Sequence, residues 1–155
     1  HKHVQFVVRR EIGQPAKSVG RTLQLVVVAA FRPRVHTNRV AAEESGGSVT
    51  ETDDRKAALE GAHVIYAKSW TSTKHYGDRL ADQKLREQHL DWCVDEPWFD
   101  NAREDCRFMH CLPVRRGVVV ADRILDGPRS IVIPEARNRM LAQMAVLHQM
   151  LGGRQ

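Results

Sequence analysis

Two apolar segments that each run into a proline constrain the fold most. Arg107-Phe108-Met109-His110 reads as a short buried strand that stops at Leu112-Pro113, because proline has no amide proton for a ladder and holds the preceding residue extended. Ser130 to Ile133 reads as a second apolar strand, ended by Pro134, which opens a helix carrying Glu135, Asn138 and Arg139 in its first turns. Two strand ends and a helix start then face one crevice, where open α/β sheets bind their ligands. Carbonyls freed at the Leu-Pro step point into it.

The rest of the chain alternates. His3 to Val8 is expected as a first strand, and Lys17 to Ala30, with apolar residues near helical spacing, as a first helix. Phe31 to Val40 fits neither period. A helix end at Ser45-Gly46-Gly47, a strand Ser48 to Glu51, an N-cap at Asp53 and a helix Arg55 to Leu59 follow. Ala62 to Ala67 is a buried-type strand, and Lys68 to Asp78 a loop rich in Ser, Thr and aromatic residues. Arg79 to His89 reads as a polar surface helix. Leu90 to Val94 and Cys106 to His110 flank a helical stretch around Pro97 to Ala102. Asp122 caps a brief helix, and Glu135 to Leu151 is a closing amphipathic helix. This alternation implies an α/β fold: a doubly wound, Rossmann-like parallel sheet with helices on both faces.

With 155 residues, 42% of them hydrophobic and 28% charged, the chain has the composition of one globular domain. It has no apolar run of about 20 residues for a membrane span. It opens at His1 without a leader pattern, and so reads as a piece of something longer, expected in the cytoplasm. Cys93, Cys106 and Cys111 are odd in number and lack metal-ligand spacing, so neither a disulfide framework, a metal nor a cofactor is expected. Residues 1–42 hold eight Lys and Arg against Glu11 alone. Their cations form no helical stripe and bring no aromatic platform, so solvated charges are favoured over a nucleic-acid surface.

The segments His110-Cys111-Leu112-Pro113 and Pro134-Glu135-Ala136-Arg137-Asn138-Arg139, each after an expected strand, resemble the active-site signature of the aspartate/ornithine carbamoyltransferase family. The likeness runs from about Ala42 to the end and is to the second, amino-acid-binding domain of a normally two-domain enzyme; residues 1–41 match poorly. The resemblance implies that His110, Cys111, Leu112 and Arg139 are catalytic, that Pro113 and Glu135 shape the amino-acid site, and that no cofactor is used. The partners it implies are carbamoyl phosphate, an amino-acid substrate and a first domain that binds the phosphate group, in an enzyme typically homotrimeric. That domain's Ser-x-Arg-Thr-Arg and His-Pro-x-Gln segments do not occur in this sequence. His110 and Cys111 are neighbours on a strand, so their side chains point to opposite faces and do not form a nucleophilic dyad.

The loop after Ala67 departs from the ornithine enzymes. Where they carry an Asp followed by Ser-Met-Gly, this chain reads Tyr66-Ala67-Lys68-Ser69-Trp70-Thr71. A lysine facing the charged α-amine of ornithine would leave both cations without a counterion. An acylated α-amine is neutral, while the α-carboxylate remains and suits an ammonium partner. The loop is therefore similar to that of the N-acetylornithine and N-succinylornithine carbamoyltransferases, which places Lys68 and Trp70 at the substrate. The alternative is a non-catalytic module that keeps the cleft and binds a small amino acid or a partner protein.

Overall fold

The computed structural model describes residues 4–12, 21–29, 35–44, 46–52, 54–68, 77–87 and 90–152. Five strands form one sheet: β1 (Val4–Ile12), β2 (Arg21–Ala29), β3 (Gly47–Thr52), β4 (Val64–Ala67) and β5 (Arg107–Met109), in the order β3-β1-β2-β4-β5. Among the described residues five α-helices accompany it: α1 (Val35–Glu44), α2 (Arg55–Leu59), α3 (Arg79–Glu87), α4 (Asp122–Leu125) and α5 (Val132–Met150).

The sheet is mixed, which corrects the expectation of a wholly parallel one. β2, β4 and β5 run parallel, but β1 is antiparallel to both its neighbours, β2 and β3. The source of the difference is β2, a strand where a helix over residues 17–30 was expected. Thr22-Leu23-Gln24-Leu25-Val26-Val27-Val28 satisfies either period over so short a run, and three consecutive valines, stiff at χ1, favour the pleated surface.

The parallel half carries the core. Val26, Ile65 and Phe108 are paired across β2, β4 and β5, and each is fully buried. Trp98, Phe99, Val120 and Ile124 from the later connections join the same cluster. Gln24 is, with His110, one of the two buried polar residues among those described. Its buried amide donates to the carbonyls of Ala58 and Glu60, both at 3.0 Å, and so ties the end of α2 to the sheet. Gly61 follows in the left-handed region at φ 66, which ends α2 and turns the chain towards β4.

Several boundaries shift. The N-cap of α2 is Asp54, whose carboxylate accepts from the Ala57 N–H at 3.1 Å; Asp53 lies outside the described residues. The stretch around Pro97 to Ala102 is a single 3-10 turn at Glu96–Trp98, and Leu90–Trp92 is another. Ala121 occupies the N-cap of α4, with Asp122 its first residue. Ser130 to Ile133 is not a strand: Ser130 makes one bridge to Phe108, and Val132 already begins α5. Pro134 sits inside the first turn of α5, where an amide proton has no helical partner to lose.

The closing helix is gripped at one end. Val132 is its one buried residue, while Met140, Leu141, Met144, Leu147 and Met150 are exposed, Met150 to 77%.

Candidate active site

The site lies where β4 and β5 end and α5 begins. Hydrogen bonds from the Phe108 N–H to the Arg129 carbonyl at 2.8 Å and from the Ile131 N–H to the Phe108 carbonyl at 3.0 Å lay residues 129–131 along β5. They deliver the first turn of α5 beside residues 110–112. Arg107 reinforces the approach by donating to the Pro128 carbonyl at 2.7 Å.

Strand alternation sorts the side chains. Ile65 and Ala67 point into the core, so Tyr66 and Lys68 share the opposite side. On β5 Phe108 is buried, and beyond its end His110 is buried to 1% while Cys111 is only half-buried. The two thus separate, His110 inward and Cys111 towards Lys68. The Lys68 Nζ lies 3.2 Å from the Cys111 Sγ. The Leu112–Pro113 peptide is cis, and the Leu112 carbonyl accepts from Arg139 Nη1 at 3.4 Å. That carbonyl keeps a second lone pair for a ligand. Glu135 accepts the His110 N–H at 3.0 Å. Trp70 lies outside the described residues.

Electrostatics follow from this packing. A hydrogen bond from Tyr66 holds the Cys111 thiol below its ordinary pKa, with the Lys68 ammonium adding to the effect and partial burial and Glu135 opposing it. Tyr66 is pushed the other way, chiefly by burial and then by its bonds to Cys111 and Glu135, so its hydroxyl keeps its proton. Burial lowers the His110 pKa against the pull of Glu135. By contrast, burial, opposed by the Arg129 guanidinium and aided by the Asp105 charge, pushes the Cys106 thiol up to about 11, as befits a core residue. Among the described residues no group of three His, Cys, Asp or Glu side chains is placed to hold a metal.

Tyr66 was not singled out from sequence. Its signal was there: it stands two residues before Lys68 on a strand, hence on the same face. Taken together, the arrangement offers two cations, Lys68 and Arg139, on either side of a turn with an ionisable thiol, over a carboxylate. Such a cleft can hold a zwitterionic or anionic amino-acid derivative by its carboxylate and present an amine to the Cys111-Leu112 turn.

The profile of the aspartate/ornithine carbamoyltransferase Asp/Orn binding domain matches residues 13–150. The chain belongs to this family. It is 36% identical over 141 residues to an ornithine carbamoyltransferase of Pelobacter propionicus, covering 90% of this chain and 45% of that protein. It is 38% identical over 109 residues to an N-acetylornithine carbamoyltransferase of Xanthomonas campestris pv. campestris, covering 70% of this chain and 32% of that protein. Among solved structures it resembles an ornithine carbamoyltransferase from Pyrococcus furiosus, with TM-score 0.57 and 36% identity over 66% of this chain and 32% of the other. It also resembles an N-acetyl-L-ornithine transcarbamylase variant complexed with carbamyl phosphate and N-succinyl-L-norvaline, with TM-score 0.64 and 32% identity over 78% of this chain and 38% of the other. The chain spans less than half the length of these relatives. Among the described residues of this carbamoyltransferase-family domain, no helix is long and apolar enough to cross a membrane.

Proposed function

We propose that this domain is the amino-acid-binding half of a carbamoyltransferase that acts on N-acetylornithine or N-succinylornithine. The observation that carries the reading is Lys68, an ammonium aimed into the cleft at 3.2 Å from Cys111, where ornithine enzymes carry an aspartate. A free α-amine there would meet a like charge; an acylated one would not, and its α-carboxylate would gain an ion pair.

In this reading the neutral δ-amine sits against the Cys111-Leu112 turn, its protons directed to backbone carbonyls. Its nitrogen forms a bond to the carbamoyl carbon of carbamoyl phosphate, the carbon–oxygen bond to phosphate breaks, and the amine loses one proton. Arg139, already at the Leu112 carbonyl, stabilises the carbamoyl oxygen as charge builds on it. His110 acts from beneath, through its backbone bond to Glu135 and its place in the core. The phosphate group belongs to a carbamoyl-phosphate-binding half, against which the exposed side of α5 docks, and that half also supplies the contacts of a trimer.

The test is calorimetric titration of the full chain, alone and mixed with a carbamoyl-phosphate-binding half, against N-acetylornithine, N-succinylornithine and ornithine. Product analysis follows on the mixture. The acyl forms are expected to bind and the mixture to form acylcitrulline. Tighter binding of free ornithine than of either acyl form would sink the reading, and binding without product would favour a non-catalytic module.

A further inference from the structure

We propose that Lys68 and Cys111 form a peroxide-sensitive cross-link site, in which hydrogen peroxide oxidises the thiol and the lysine amine closes on the sulfur as a sulfenamide. The sheet brings the pair together. β4 and β5 are parallel neighbours in the register Val64↔Arg107, Ile65↔Phe108 and Tyr66↔Met109. Continued for two residues, this register sets Lys68 beside Cys111, just beyond the ends of both strands. There the Lys68 Nζ lies 3.2 Å from the Cys111 Sγ. The amine is exposed, at the end of a flexible stem, so it can close the remaining gap. Cys111 is half-buried and open to a small oxidant.

The other thiols are placed for different ends. Cys106 is buried just before β5 and Cys111 lies past its end, with roughly 10 Å of strand between them, beyond the span of a disulfide. Cys93 closes the Leu90–Trp92 turn, its N–H on the Leu90 carbonyl at 3.2 Å, next to Val94, which bridges to Val120. An oxidised Cys111 therefore meets an amine. The ammonium beside it favours the thiolate, the form that peroxide attacks. The thiolate takes one peroxide oxygen: an S–O bond forms, the O–O bond breaks, and hydroxide leaves and takes a proton from the ammonium. The freed amine then attacks the sulfenic sulfur, an S–N bond forms, and the sulfenic oxygen departs as water. Thiolate, ammonium and one peroxide thus give a sulfenamide and two waters, the sulfur oxidised and the peroxide reduced. A dithiol returns both side chains and is itself oxidised to a disulfide. The link consumes the cation and the thiol of the cleft together; that this blocks an acylornithine rests on the proposed function, whereas the link itself does not.

The test exposes the full chain to hydrogen peroxide, blocks the remaining thiols with iodoacetamide and follows Cys111 by peptide mass spectrometry. The expected product is a pair of peptides joined between Lys68 and Cys111, lighter than its two components by two hydrogen atoms and released by dithiothreitol. Lys68→Arg keeps the cation but not the nucleophilic amine. In that variant the link is expected to be lost and Cys111 to accumulate as sulfenic acid, read by dimedone labelling. Four outcomes in the native chain overturn the proposal: sulfinic acid at Cys111 without a link, a link one oxygen heavier, a disulfide, or a Cys111 untouched by peroxide that oxidises free cysteine. Calorimetry with N-acetylornithine before and after peroxide reads the consequence. Binding is expected to be lost with the link and regained with dithiothreitol, and binding that survives the link overturns its role as a block. A link in a chain that binds no N-acetylornithine removes the proposed function and leaves the cross-link site, and binding without a link does the reverse.

Discussion

The carboxylate of Glu135 accepts the backbone N–H of His110 at 3.0 Å, across 25 positions of sequence. This bond joins the end of β5 to the first turn of α5, and so brings the two proline-bounded motifs into one site. It also meets a backbone donor that the end of the strand leaves without a ladder partner. Glu135→Ala is expected to destabilise the chain by about 1–3 kcal/mol, the cost of a donor left without its acceptor. Glu135→Gln keeps an acceptor oxygen and is expected to lose less. Urea unfolding of both variants measures the difference.

His110 gives stability a pH dependence with a definite sign. In the unfolded chain its imidazole titrates near 6.5, and in the fold burial holds it below that value. Between the two, the unfolded state takes up a proton that the folded state refuses. Stability is therefore expected to fall as pH drops through about 6.5, by at most about 1.4 kcal/mol per unit for one proton, and to stop falling from this source at the folded pKa. His110→Gln should flatten this part of the profile; an unchanged slope would remove the assignment. Denaturant midpoints between neutral and mildly acid pH decide it.

Lys68→Met tests the proposed anion site. A hydrogen bond between charged partners is worth about 1.5–3 kcal/mol, so N-acetylornithine is expected to bind about ten- to a hundredfold more weakly. Affinity for free ornithine should fall less or rise, since a like charge has left the site. Calorimetry of both ligands on both proteins gives the ratio.

Gly127 closes the turn between α4 and the Arg129 to Ile131 segment. A Cβ there would collide with the carbonyl oxygen of Arg123, part of the α4 backbone, which cannot swing aside as a side chain can. Gly127→Ala is expected to cost about 1–3 kcal/mol, as overpacking does. The shift would reach the site through Pro128, whose carbonyl holds Arg107. A thermal melt of the variant checks the cost.

Local chemistry made the site legible. Cys111, Leu112, Glu135 and Arg139 sit in two short runs whose prolines mark where strand gives way to turn or helix, and a few residues suffice to show that. The sheet was harder to read. Leu23, Leu25 and Val26 to Val28 suit a helix face or a buried strand, and what decides for a strand is pairing with Val64 to Ala67, some 40 residues away. Nor does periodicity carry direction, so β1 could be expected as a strand while its antiparallel sense could not. Ser130 to Ile133 misled because an apolar run before proline looks the same whether the proline ends a strand or lies in the first turn of a helix. His110 and Cys111 point apart although both lie beyond the end of β5 rather than on the strand, and strand alternation on β4, applied two residues back from Lys68, reaches Tyr66.

The grip on α5 has a mechanical consequence. A helix of 19 residues is about 28 Å long at 1.5 Å per residue, and this one is clamped at Val132 and Glu135 with its outer turns projecting. It is a cantilever. Any load on the turns from Met140 to Met150 acts through a long arm on a short one, and the short arm carries Glu135 against His110 and Arg139 against Leu112. A small tilt at the far end is thus geared down into a finer displacement at the clamp, so that seating the free end would tune the spacing of these two contacts.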